Sequence, residues 1–334
     1  MVAGGTDGLG IVRRRTKRIL IGALAVVVLL GVGGVVAGWA YGRSLNNHLA
    51  RTDAFKDVPE ESRPTQVVQG ALNVLLLGSD SRDPDKTADS RTDTIMILHV
   101  DADHKKAEVI SIPRDTWVFV PTSPDGNNGN TMAKINAAYA WGGTPLIVQT
   151  VEGFTGVHID HVALIDFGGF AQVVNALGGV DLKIEKTIKS IHAPYRTFKK
   201  GTQHLTGAEA LDYVRQRYQF ADGDFSRERH QREFLQALLD KAASAGTLAN
   251  PVKLNSFLQA ATKSLTVDQD FDLVDTAVEL RGLRSADLTF MGSPNAGTAT
   301  RDGQSVVLSD KTKAKALYQA VADDTVQSYL TKAM

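Results

Sequence analysis

Three apolar runs, Leu72 to Leu77, Thr94 to Val100 and Ala107 to Ile112, follow one another closely. They are rich in Leu, Ile and Val and nearly continuous, which predicts strands buried on both faces. A sheet covered on both sides needs helices above and below it, and the rest of the chain offers them. Lys134 to Trp141 has the pattern of a short helix stopped by Gly142 and Gly143; Thr144 and Pro145 then cap and open another. His158 to Asp166 predicts a strand, followed by a helix with Phe170, Val173, Val174 and Leu177 on one side and Gly178 and Gly179 at its end. Val180 to Ile184 is a further strand. Thr206 and Glu209 have capping-box spacing for a helix from Gly207 toward Arg215. Ser226 is placed to cap a long helix to about Ala245, with Arg227 and Gln231 on the same stripe as Phe234 and Leu238. Helical spacing recurs over Asn250 to Leu265, Phe271 to Leu283 and Asp310 to Leu330, with a strand at Asp287 to Gly292. The alternation predicts an α/β fold, an α-β-α sandwich with a central mixed sheet.

Ahead of this domain, Ile19 to Gly42 contains no charged residue, long enough for a helix to cross a bilayer. Arg13, Arg14, Arg15, Lys17 and Arg18 precede it, which places the N-terminus in the cytoplasm and the bulk of the chain outside the cell. A cleaved signal peptide is the competing reading, but its apolar core would be shorter. The expected organisation is a basic cytoplasmic tail (1–18), one transmembrane anchor (19–42), an extracellular spacer (43–70) and a catalytic domain (71–334), in a single-pass protein of the cell membrane. Lys plus Arg and Asp plus Glu both number 37, so no overall field points to nucleic acid. With no cysteine, disulfides and thiolate metal sites are excluded.

The chemistry gathers where the apolar runs end. Leu72 to Leu77 breaks at Gly78 into Ser79, Asp80, Ser81 and Arg82, and the next run opens after Arg91, Thr92 and Asp93. Arg114 and Asp115 follow Pro113, and Arg215, Arg217 and Arg227 lie at helix ends or in the adjoining loops. Carboxylates suit a hard cation, and guanidinium groups donate in a fork that fits phosphate oxygens. Asp80 and Asp93 are therefore candidate magnesium ligands, with manganese as the alternative. The histidines show no trustworthy metal-ligand spacing, and GSD at residues 78–80 lacks the glycine pattern of a nucleophile elbow.

The segments NVLLLGSDSR, RTDTIMILHVD, VISIPRDTWV, KINAAYAWGG, LDYVRQRY and GDFSRERHQREFL, spread in order from about Leu72 to Leu239, resemble the successive motifs of the LytR-CpsA-Psr (LCP) proteins. The resemblance implies a membrane-anchored phosphotransferase that moves a glycopolymer from a polyprenyl-pyrophosphate carrier to peptidoglycan through a phosphodiester bond. By motif, Asp80 and Asp93 would bind magnesium. Arg91, Arg114, Arg215, Arg217, Arg227 and Gln231 would hold the pyrophosphate, and Arg82 and Lys134 would lie near the head group. Arg91, Arg114 and Asp93 are the expected catalytic residues. Asp93, Asp115 and Asp224 are equal candidates for the base. His230 departs from the pattern, which often has arginine there, and Arg229 beside it is the candidate to compensate. The lipid tail is expected in an apolar groove lined by the Pro145 to Phe154 and Phe170 to Leu177 helices and the sheet. A polyprenyl-pyrophosphate hydrolase and a non-catalytic lipid-binding or regulatory membrane protein are the alternatives.

Overall fold

The computed structural model describes residues 40–79, 92–216, 219–220 and 224–333. The chain divides after Asn47. Residues 40–46, in the first unit, are helical (α1). The anchor read over 19–42 otherwise lies outside the described residues, and among the described residues no helix is long and apolar enough to cross a membrane.

The second unit, His48–Met334, is built on a mixed sheet of seven described strands. In spatial order they are β1 (Ala50–Thr52), β12 (Leu265–Asp268), β7 (His161–Asp166), β2 (Leu72–Ser79), β3 (Thr92–Val100), β4 (Ala107–Ser111) and β13 (Leu288–Gly292). The three apolar runs of the sequence are β2, β3 and β4, joined antiparallel, while β7 and β13 pair in parallel with β2 and β4. Alternation along these strands divides two environments. Leu75, Leu77, Ile95, Ile97 and Ile110 belong to the core cluster that also holds helix α2 (Ala137–Thr155) and helix α9 (Lys311–Ala322). Leu76, Thr94, Met96, Ala163 and Ile165 instead line a cavity, together with α3 (Phe167–Ala176), α4 (Gly207–Val214), α5 (Asp224–Ala243) and α7 (Pro251–Ser264).

Several local expectations hold. α2 breaks at Gly142 and Gly143, where Gly143 has φ 63°, and resumes at Thr144 and Pro145. The capping box of Thr206 and Glu209 starts α4, and Asp166 caps α3 by accepting from the Gly169 N–H at 2.6 Å. Lys134 differs: it ends strand β6 (Thr131–Lys134) rather than opening a helix, because residues 131–134 pair with β5 (Trp117–Val120) across a Gly- and Asn-rich loop, residues 121–130. Ser226 lies inside the first turn of α5, not at its cap, and its Oγ accepts from Arg229 at 3.0 Å.

Residues 48–70, most of the segment read as a spacer, contribute to the second unit. β1 pairs with β12 at the sheet edge, and Ala54 is buried in the main core. Arg63 donates to the buried carboxylate of Glu152 on α2 and to the Ile159 carbonyl at 2.7 Å. These contacts join residues far apart in sequence, so a local pattern has no sign of them.

The face under α2 also buries a carboxylate. Glu108 on β4 is 1 % exposed and accepts from Gln327 of α10 (Val326–Ala333). Burial pushes its carboxyl up from 4.5 to about 7. The folded chain therefore holds this proton more tightly than the unfolded one, and Glu108 lowers stability progressively as pH rises from about 4.5 to 7. Glu108→Gln is expected to stabilise the protein by about 3 kcal/mol at pH 8 and by almost nothing at the acid end of that window. Chemical denaturation at the two pH values checks this, and an equal effect at both would refute it.

Candidate active site

The second and third apolar strands do not pair evenly to their ends. Gly78 of β2 opposes Thr94, but Ser79 opposes Thr92, so Asp93 is the extra residue of a β-bulge. A bulge bends the strand locally and can re-aim a side chain, which is why bulges gather beside active sites. Gly78 permits the close approach: a Cβ there would sit 2.9 Å from the Thr94 Cβ. Asp93 accepts from Nη1 of Arg114, the residue that follows the Pro113 stop. Arg114 Nε lies 3.9 Å from Asp115, whose other oxygen is 3.1 Å from Lys134 Nζ at the end of β6. Acid and base thus alternate from Asp93 through Arg114 and Asp115 to Lys134.

Asp93, Arg114, Arg215, Arg227 and Gln231 all line one cavity of about 600 Å³. Four of them, Asp93, Arg114, Arg227 and Gln231, also surround an adjoining narrow recess. Arg227 and Gln231 come from the first turns of α5, and Phe234, Leu235, Leu238, Leu239 and Ala242 continue the cavity wall along the same helix. This is the polar-to-apolar stripe expected from spacing. The remaining wall is mainly apolar, including Phe170 and Val173 of α3 and Phe257 and Ala261 of α7, with Thr94, Asp166 and His192 as its polar members. Such a space suits a long hydrocarbon whose charged end meets guanidinium groups.

Some expectations change. The Pro145 to Phe154 helix does not line this cavity; α2 packs on the opposite face of the sheet because its apolar side meets Leu75, Leu77, Ile95 and Ile97. α7, which carries no charged motif, supplies wall in its place. Arg229, the candidate to compensate for His230, donates from Nη2 to Glu185 at 3.2 Å and is not part of the cavity wall. His230 itself is 1 % exposed and packs between Tyr213 and Phe220, at ring-centroid distances of 4.8 and 4.6 Å. Among the described residues, Lys134 is tied to the site through Asp115. Asp80, Arg82, Arg91 and Arg217 lie outside the described residues, as does the side chain of Asp224. Ile191 and His192, on a loop with no recognisable motif, also line the cavity.

The donor chemistry fits magnesium in kind. Asp93 presents a hard carboxylate beside the cationic groups, and magnesium is commonly held by one or two carboxylates plus waters and phosphate oxygens. No group of three or more metal-ligating side chains occurs among the described residues.

The model of the LytR_cpsA_psr family matches residues 40–323, most of the chain. The chain belongs to the LytR_cpsA_psr family. Among its relatives is TagU of Bacillus anthracis, named polyisoprenyl-teichoic acid--peptidoglycan teichoic acid transferase, 34% identical over 263 residues, or 77% of this chain and 82% of that protein. The probable cell wall biosynthesis protein LcpB of Corynebacterium glutamicum is 36% identical over 320 residues, covering 90% of this chain and 70% of LcpB. The crystal structure of TagV from B. subtilis superposes with a TM-score of 0.64 at 26% identity, covering 78% of this chain and 98% of TagV. The mixed α/β architecture with a central sheet is therefore that of the LytR_cpsA_psr proteins, and the bulge at Asp93 and the arginine-headed cavity lie within the matched region.

Proposed function

We propose that this chain is a membrane-anchored phosphotransferase that moves a glycopolymer from a polyprenyl-pyrophosphate carrier to peptidoglycan. The observation that carries the reading is the single cavity that joins an apolar wall to Asp93, Arg114, Arg215, Arg227 and Gln231. The name of TagU as a teichoic acid transferase supports the same reaction class. Ile19 to Gly42 is the anchor, with the N-terminus in the cytoplasm and the site outside the cell.

The polyprenyl chain occupies the apolar wall and presents its pyrophosphate to the arginines. A hydroxyl of peptidoglycan attacks the phosphorus nearer the glycopolymer. The new P–O bond forms as the bond to the bridging oxygen breaks, that oxygen leaves with polyprenyl phosphate, and the hydroxyl proton passes to a base. Arg114, Arg215 and Arg227 spread the charge that builds on the transferring and leaving phosphates, so positioning and electrostatics supply most of the rate. Asp93 orients Arg114 through their ion pair. Magnesium, held by Asp93 and Asp80, would polarise the phosphate oxygens when bound.

The test incubates the purified full chain with a labelled polyprenyl-pyrophosphate glycan and a peptidoglycan oligomer. A phosphodiester-linked product is expected with magnesium. Chelation or Asp93→Asn should lower its formation by about a hundredfold or more. Release of polyprenyl phosphate without attachment would overturn transfer in favour of hydrolysis, and turnover unaffected by chelation would remove the metal.

A further inference from the structure

A basic ribbon borders the cavity, and the reaction gives it no task. Between Lys183 and Lys200 there are six Lys or Arg residues and one acid, Glu185, which is already engaged by Arg229. Within this stretch, β9 (Ile188–Lys189) and β10 (Thr197–Phe198) form a short antiparallel ribbon. Ile188 and Phe198 are paired across it and buried in a core cluster, whereas Lys189 and Thr197, the other pair, are exposed. Lys199 and Lys200 continue the exposed side.

The loop that closes the ribbon, residues 190–196, carries two apolar side chains into water: Ile191 is 45% exposed and Tyr195 58%. It is nevertheless held firmly. Ser190 Oγ donates to the buried Asp212 carboxylate at 2.6 Å, and Gln216 Nε2 donates to that carboxylate at 2.7 Å and to Ser190 Oγ at 2.9 Å. The Tyr195 N–H donates to the His192 carbonyl at 2.7 Å, with Tyr195 in the left-handed region at φ 61°. Left-handed backbone is costly for a bulky residue and persists where surrounding contacts impose it. A fixed loop therefore displays an aliphatic and a phenolic side chain beside exposed lysines, and Ile191 is at the same time part of the cavity wall.

We infer that this ribbon docks on an anionic lipid surface and so holds the cavity against the membrane. The inference rests on the reading of the cavity as a lipid site. Lysines draw the ribbon toward anionic head groups, tyrosine favours the interfacial zone, and an aliphatic side chain at the rim gives the carrier lipid a continuous apolar path. A polyanionic glycopolymer would be drawn to the same lysines but would leave Ile191 and Tyr195 without a role. The membrane is the occupant that uses both features.

The chain has no cysteine, so Tyr195→Cys creates one attachment point for an environment-sensitive dye. The labelled full chain is placed in nanodiscs of phosphatidylcholine alone or of phosphatidylcholine with phosphatidylglycerol. The control label is at Val278→Cys on α8 (Leu273–Glu279), an exposed residue near the turn between β3 and β4, at the end of β3 remote from Asp93. Blue-shifted emission, shielded from an aqueous quencher, is expected at position 195 only, and only with the anionic lipid. Raised salt weakens it. Joint Lys189→Gln, Lys199→Gln and Lys200→Gln should lower the ratio of docked to undocked protein by about a hundredfold. Emission typical of water in both nanodiscs would overturn the inference. So would equal shielding by soluble poly(glycerol phosphate) without anionic lipid, which assigns the lysines to the polymer. The transfer assay on the same preparations separates the two readings: docking without transfer removes the proposed reaction and leaves this surface, and transfer without docking does the reverse.

Discussion

Arg114→Ala is expected to lower glycopolymer transfer by about a thousandfold, at the upper end of what one donor aimed at developing charge contributes. Arg114 lines both the cavity and the recess, donates to Asp93 and lies near Asp115, so it is held on two sides before any substrate arrives. Its Nε has no hydrogen-bond partner among the described residues. A guanidinium held in this way needs little reorganisation when charge develops on phosphate. Arg114→Lys should recover only part of the loss, because a point-charge ammonium cannot fork between the Asp93 carboxylate and a phosphate oxygen. The measurement is kcat and KM for the donor with each variant, beside a thermal melt. The melt should move little, since Asp93 is partly exposed and water can replace its partner. A loss of less than about tenfold, small beside the usual effect of such a donor, would take Arg114 out of the machinery.

Arg63→Ala is expected to destabilise the fold by about 3 to 5 kcal/mol, the usual consequence of leaving one member of a buried ion pair unpaired. The Glu152 side chain is 1% exposed, and Arg63 donates to its carboxylate through Nε and Nη2 at 3.2 and 3.0 Å. The same guanidinium donates to the Ile159 carbonyl and lies 4.6 Å from the Phe55 ring centroid. The Ile159 N–H donates to Glu152 at 3.0 Å but cannot by itself balance a buried negative charge. Thermal unfolding of the full chain in detergent should shift down by several degrees. Arg63→Met with Glu152→Leu should recover part of the loss by removing both charges. A shift no larger than that of an exposed-surface substitution would show that water reaches Glu152 freely.

The two variants separate site from scaffold, and they also differ in how far their roles can be read from sequence. Arg114 was legible: it follows an apolar run stopped by proline, among the motif residues of the family. Arg63 was not, because its meaning depends on Glu152, 89 positions away. The same division runs through the site. Arg227 and Gln231 could be placed on the stripe of Phe234 and Leu238 because a helix repeats every three to four residues. Which helix lines the apolar cavity could not be read from spacing: α2 and α3 both carry apolar residues, and only packing decides which side of the sheet each covers. β12 has no sequence signature either, since its four residues, LTVD, carry no usable period and become a strand through pairing with β7 and β1.

Local chemistry written in the sequence therefore determined the three central strands, the capped helices, the glycine break in α2 and the residue types able to meet a pyrophosphate. The tertiary structure alone decided that Asp93 would bulge toward Arg114, that α7 and the loop of Ile191 would complete the cavity, and that His230 would be buried between aromatic rings. The physical reason is range. Turn, cap and period act over a few neighbouring residues, whereas a cavity, a bulge register and a buried charge are settled by which distant segments come to lie side by side.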